Sequence, residues 1–313
     1  MLRKVAEQYG IVVALVIEFI VFAVIADSFL TVNNFLNAVN QAAVIGIIAV
    51  GMTFVIIVGG IDLSVGSLVA FVGVIVGGLM QTNLAPPLPM YAVSVLVGLA
   101  AGAGVGAFSG FMITRFRIAP FIVTLALMSS LRGAAFIICK GRPFGGQPEV
   151  FKAIGRGHIL RVPVPVLIML ATFAIGMVVL RKTRFGTYVY AIGGNEEAAR
   201  LSGVDVRRVK MRVFMIIGTL SALSGVVLAS RLGAGDPKAA EMYELDVIAS
   251  TVVGGTSLMG GVGKIWGTFV GVMIIQVLRN GLNLCHVSDY WQRVAIGGVI
   301  LGAVLLDQLK KRT

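Results

Sequence analysis

Charge is what this sequence has least of. Only 13% of its 313 residues are Asp, Glu, Lys or Arg, about half the share usual in a soluble domain. No charged residue stands between Asp27 and Asp62, and none again before Arg115. So few charges cannot cover the surface of a soluble chain this long, and a soluble fold is excluded. Cysteine is scarce too: Cys139 and Cys285 stand alone, without the spacing of a metal site or a disulfide framework. The two histidines, His158 and His286, form no hydrolytic constellation with other residues. The phosphate-cradling pattern G-x-x-x-x-G-K-[ST] is missing. Its nearest approach, GGTSLMGGVGKI, has Leu258 where the first glycine belongs and Ile265 after the lysine. The chain cannot hydrolyse ATP by that route.

What is present is apolar sequence: 58% hydrophobic residues and a mean hydropathy of +0.97. A bilayer core takes about 20 apolar residues per helix and admits only helices or closed barrels. Barrel strands alternate in polarity, whereas VVALVIEFIVFAVIA is apolar on every side but for Glu18. The expectation is an all-α integral membrane protein, one domain over 1–313. About ten spans are expected, near 10–27, 38–58, 63–80, 90–114, 119–139, 163–181, 211–231, 244–257, 265–284 and 290–307. The basic start resembles a signal peptide, but its apolar run is too long, and it is read as a retained first helix. The 40 glycines suit membrane helices, where small residues let backbones approach. The net charge of +12 sits at segment ends, which argues against nucleic acid as a partner. With the N-terminus inside, the inner pieces hold 16 basic residues and the outer loops seven. That bias places both termini in the cytoplasm.

The longest polar stretch, RKTRFGTYVYAIGGNEEAARLSGVDVRRVKMR, covers about 182–212. Within it GGNEEAARLSG reads as a short helix: Asn195 as cap, Glu196 and Glu197 in the first turn, Ala198 and Ala199 inside, Gly203 at the end. Asp205 is placed to cap a second short helix. Such an element can dock a partner or simply hold basic residues near anionic lipid. The motif YAIGGNEEAARLSGVDV resembles the cytoplasmic coupling loop of ribose-type permease subunits of bacterial ATP-binding-cassette importers. GMTFVIIVGGIDLSVGSL, YELDVIASTVVGGTSLMGGVGKIWGT and NGLNLCHVSDYWQ resemble the same family, in order and at similar spacing.

The resemblance implies the permease subunit of an importer in the bacterial inner membrane, a transporter subunit and not an enzyme. It implies a ribose-like pentose as solute, received from a periplasmic sugar-binding protein, and a second permease subunit, identical or sister. ATP and Mg would sit on a cytoplasmic ATPase subunit, with no cofactor, metal or catalytic residue on this chain. Gly194, Asn195, Glu196, Glu197, Ala198, Ala199, Arg200, Ser202, Gly203 and Val204 would form the ATPase-docking loop. Other solutes within the family are a different monosaccharide, a polyol, a furanose signal molecule or a nucleoside. A secondary transporter would need a mid-span acid for ion coupling, and an intramembrane enzyme a catalytic pair within its spans. Neither shows.

Two glycine-rich turns stand out. In GGIDLSVGS, Gly59 and Gly60 read as a hinge, and Asp62 with Ser64 as a helix start, the Asp62 carboxylate capping the third span; the competing reading makes Asp62 a pathway residue. Gly254 and Gly255 open the second turn, and FVGV follows each turn, a pairing that chance also produces in Gly/Val-rich sequence. For a path through the bundle the candidates are Asn40 and Gln41, Ser129 and Arg132, and a stripe of Gln276, Asn280 and Asn283 on the ninth span. The same amides can instead bridge helices. Asp289 and Arg293 are spaced to pair. Glu241, Glu244 and Asp246, like the 141–165 segment, can offer contacts outside.

Overall fold

The computed structural model describes the backbone of residues 2–82 and 87–312 and the side chains of 10–82 and 90–305. The terminal basic residues Arg3, Lys4, Lys310, Lys311 and Arg312 lie outside the described side chains.

Helices build nearly all of it: α1 (Leu2–Ile25), α2 (Val32–Ile57), α3 (Val65–Met80), α4 (Pro87–Phe116), α5 (Pro120–Cys139), α6 (Glu149–Arg156), α7 (Val164–Lys182), α8 (Arg184–Gly194), α9 (Glu196–Leu201), α10 (Val206–Leu232), α11 (Tyr243–Val253), α12 (Ile265–Leu284) and α13 (Asp289–Arg312). A two-residue hairpin, β1 (His158–Ile159) against β2 (Val162–Pro163), joins α6 to α7. Each of the ten expected segments falls on a helix. Six are long and apolar enough to cross a membrane, and α3 and the 10–25 part of α1 are shorter apolar helices.

The core forms around α2. Every residue from Ala42 to Ile57 is buried, because this stretch is apolar on all sides and other helices must surround it. Small residues set the closest crossing. Gly102, Gly106 and Gly110 repeat every four residues along α4, and a Cβ on Gly106 would meet the Phe214 carbonyl of α10. Only glycine lets these two backbones touch.

Three local expectations change. The seventh span begins at Val206, capped by Asp205, which accepts from Arg208 N at 3.1 Å. The expected second short helix is therefore the first turns of α10. Residues 184–194, read as loop, form α8, with Gly186, Val189 and Ile192 facing inward. The 141–165 segment contains α6, which buries Phe151 and ties Gly155 N to the Ser230 hydroxyl at 2.7 Å.

Between α10 and α11 the chain is not helical. Gly235 pairs with Phe144 in an isolated bridge and lies against Gly73 and Gly77 of α3. Ala240 and Glu244 lie against Gly66, in α3's first turn. The segment thus runs down the length of α3, and α11 starts where α3 starts. With 11 residues, α11 is about 16 Å long, roughly half a bilayer core.

Candidate functional site

The segment expected to dock a partner is a rigid, outward-turned unit. Thr183 caps α8, accepting from Gly186 N at 3.2 Å. Asn195 ends α8 through its amide, which donates to Ala191 O, and starts α9 through its side chain, which accepts from Ala198 N at 2.9 Å. The Ser202 hydroxyl donates to Ala198 O. Gly203 at φ +84° reverses the chain, and Val204 N donates back to Ala199 O. Gly194 to Ala198 and Arg200 to Gly203 are exposed, while Ala199 packs inward. Leu201, 74% exposed, is a large apolar side chain standing in polar surroundings.

Ion pairs fix the polar side chains here: Glu197 with Arg200 at 2.6 Å, Glu196 with Lys210 at 2.6 Å, Asp205 with Arg208 at 2.9 Å. The hydrogen bond from Arg200 holds the Glu197 carboxyl below the usual range. Exposed pairs of this kind are worth little in stability; their effect is to hold charge in place. A cleft of about 1090 Å³ opens beside α9, walled by the start of α10 and by Arg117 and Pro120 of the α4–α5 turn.

Beneath this unit the two glycine-rich turns meet. Gly261 N donates to Ile57 O at 2.9 Å, and Gly193, near the end of α8, lies against both. A Cβ on Gly193 would meet the Ile57 carbonyl. The Tyr190 hydroxyl donates to Gly263 O at 2.7 Å. Gly59, Gly260 and Gly261 all have positive φ, as does Gly255 just past α11. Gly254 crosses against Gly267 with no room for a side chain. Sequence spacing identifies both turns; nothing in it tells that they are neighbours.

Asp62 corrects the expected cap. The helix begins three residues later, at Val65, with Ser64 in the cap position and no side-chain cap bond. The buried Asp62 carboxylate instead accepts from Ser64 N at 2.9 Å and the Ser64 hydroxyl at 2.6 Å. It pins the turn ahead of α3 rather than the helix itself.

The path candidates have different surroundings. Asn280 exchanges two hydrogen bonds with Asn34 at 2.9 and 2.8 Å, tying α12 to the start of α2. Gln276 is buried beside it, against a pocket of about 330 Å³ whose walls are mostly apolar, and Asn283 is exposed near the end of α12. Asn40 and the exposed Gln41 line a polar pocket of about 420 Å³ with Arg156, His158 and Arg231, and Asn40 Oδ1 is buried there without a partner. Ser129 is exposed in the middle of α5, and Arg132 reaches the α10–α11 segment. Asp246, expected as an outside contact, is buried and bound through both oxygens to Arg279. Among the described residues Asp289 and Arg293 make no ion pair. Asn280→Leu leaves Asn34 Oδ1 without its donor, while Asn34 Nδ2 keeps Phe29 O at 3.0 Å, and is expected to cost about 1 kcal/mol. Replacing both asparagines by leucine removes the unpaired oxygen but also the bond to Phe29 O, so it is expected to return only part of that, and thermal midpoints in detergent measure the difference.

The family model described as branched-chain amino acid transport system / permease component matches residues 34–304. The chain is 46% identical over 308 residues to the ribose import permease protein RbsC of Bacillus subtilis (strain 168), across 98% of this chain and 94% of the relative. The Haemophilus influenzae ribose import permease protein RbsC is 44% identical, over 97% and 94%. The L-arabinose transport system permease protein AraH of Escherichia coli (strain K12) is 38% identical, over 99% and 93%. No solved structure gives a match.

Proposed function

The chain belongs to the branched-chain amino acid transport system / permease component family, and from that premise we propose that it is the membrane-spanning permease subunit of an ATP-driven importer of a ribose-like pentose. The observation that carries this reading is near-half identity over almost the whole chain to ribose import permeases of two bacteria. The arabinose permease relative favours a second reading in which another pentose is the solute.

In this reading α1 to α5, α7, α10, α12 and α13 are nine of the ten spans, the non-helical 233–242 chain with α11 makes the eighth, the termini lie in the cytoplasm, and the protein resides in the bacterial inner membrane. Basic residues support the orientation: eight lie from Arg181 to Arg212, on the face that carries α9. A periplasmic binding protein delivers the sugar and a second permease subunit completes the channel. A separate cytoplasmic ATPase holds ATP and Mg and seats on α9 and the cleft beside it. Closure of the ATPases displaces α9. Because α8 touches the α2–α3 turn and the α11–α12 turn through Gly193, that displacement reaches both turns together.

The test is co-purification and uptake. The tagged chain, extracted in mild detergent from its host, is expected to bring a P-loop ATPase with it, and labelled ribose to enter cells in proportion to its expression. Glu197→Lys breaks the Arg200 pair and puts a second cation on the docking face, where a misplaced charge costs several kcal/mol. The variant is expected to lose the ATPase. Uptake with no ATPase in either sample would sink the importer reading, and ribose uptake outcompeted by arabinose would favour the second solute.

A further inference from the structure

Non-helical backbone passes through the middle of the bundle, and a charged side chain holds it there. From Gly235 beside Gly77 to Ala240 beside Gly66, the chain descends along eleven residues of α3, about 16 Å. Ala240 and Met242 both have positive φ. At membrane depth such backbone persists only where protein buries it or water reaches it. Arg132, from the middle of α5, meets part of that need, its guanidinium donating to Pro237 O at 2.6 Å and Ala239 O at 2.8 Å. Asp236, Glu241 and Glu244 lie close enough to act on its charge.

Polar side chains are exposed on both of the elements that Arg132 joins. Ser129 and Ser130, at the centre of the 20-residue α5, are exposed, and so are Lys238 and Glu241. Hydroxyls and charges at mid-span do not face lipid without a partner or water. Interrupted segments near the midplane are also where solutes are held in other transporters.

We propose that Ser129, Ser130, Lys238 and Glu241 form one wall of the solute path at mid-membrane, and that Arg132 is the positioning residue that latches the 235–240 segment into that wall. The assignment rests on the importer reading, in which a second permease subunit completes the channel. The wall suits a neutral polyhydroxyl solute. Serine hydroxyls and a carboxylate exchange hydrogen bonds with sugar hydroxyls.

Accessibility tests this without knowing the sugar. Ser130→Cys and Glu241→Cys are introduced singly, with Cys285→Ser to silence the half-exposed thiol, and Ile175→Cys on the exposed face of α7 is the control. Complexes that retain the ATPase are treated with a charged, membrane-impermeant methanethiosulfonate. The two path positions are expected to react roughly tenfold faster than the control or more, because the reagent needs a thiolate in water. Ribose is expected to slow them. Arg132→Gln is expected to lose uptake and Arg132→Lys to restore most of it. Path cysteines no faster than Ile175→Cys overturn the proposal; Ser129→Cys replaces Ser130→Cys if the latter does not assemble. Labelling that ribose fails to slow, in a chain whose parent imports ribose, overturns it too. Fast labelling in a parent that imports arabinose alone, with arabinose slowing it, keeps the path and fails the ribose assignment.

Discussion

Replacing Asp246 by alanine is expected to lower the stability of the folded chain by about 2–3 kcal/mol, below the range of about 3–5 kcal/mol for a fully buried ion pair broken from one side, because the Arg279 side chain is 33% exposed. The carboxylate is 2% exposed, and both its oxygens accept from Arg279, at 2.8 and 2.7 Å. The pair joins α11 to α12, two helices that otherwise meet through small residues, with Gly254 against Gly267 and Gly271 against Ser250. Arg279 Nε already lacks a partner, so once the carboxylate is gone the guanidinium is left with its exposed third alone. A lone cation inside a membrane bundle is costly. Removing both charges avoids that cost: Asp246→Leu with Arg279→Met is expected to recover most of the loss. Thermal unfolding midpoints of the detergent-solubilised chain compare the single and double variants. A single variant within about 1 kcal/mol of the parent, the range of an exposed pair, would show that the buried pair contributes little.

The residues that were legible in advance are those whose partners are near in sequence. Asn195 accepts from Ala198, Asp205 from Arg208, and Gly203 turns the chain after Leu201. A cap is set by three or four consecutive residues, so the sequence displays it. Six of the expected segments, those that form helices long and apolar enough to cross a membrane, were legible for a similar reason, since a run of about 20 apolar residues has one stable environment. Partners distant in the chain were not. Asp246 sits in a row of acids near an expected outer loop, and nothing nearby signals Arg279, 33 residues on. Arg132 looks like a lone charge in a span until Pro237 and Ala239 arrive more than 100 residues later. Asn280 belongs to a visible polar stripe, yet its partner Asn34 is 246 residues away. Asp62 shows a subtler limit. The spacing of a cap was right in kind, but the chain makes one more turn before α3, so the carboxylate holds Ser64 rather than the helix amides. Residues 184–194 were hidden by their own glycines. RFGTYVYAIGG reads as loop by composition, and it is helical because Gly186 and Gly193 admit backbone contacts that larger residues would block.

Gly193 leads to the other large effect. Gly193→Ala is expected to cut ATP-driven uptake by about tenfold or more, while leaving the ATPase bound. The added Cβ would press on the Ile57 carbonyl and the Gly261 amide, the two groups that hydrogen-bond to each other at 2.9 Å. Overpacking at such a contact costs about 1–3 kcal/mol, and 1.4 kcal/mol is a factor of ten. The strain falls between α8 and the two turns. It does not fall on α9, whose cap, ion pairs and exposed face lie on the other side of Asn195. Docking and transport are therefore expected to separate. Gly104→Ala on α4, outside the docking loop, is the control, because a Cβ there meets nothing within 4 Å, and it is expected to transport as the parent does. Uptake in cells, set beside ATPase recovered on the tagged chain, reads both properties from one culture. If Gly193→Ala imports as fast as Gly104→Ala, the turns do not move through this contact, and α9 must act on the bundle through α10 instead. Loss of the ATPase along with uptake would place Gly193 in docking, not transmission.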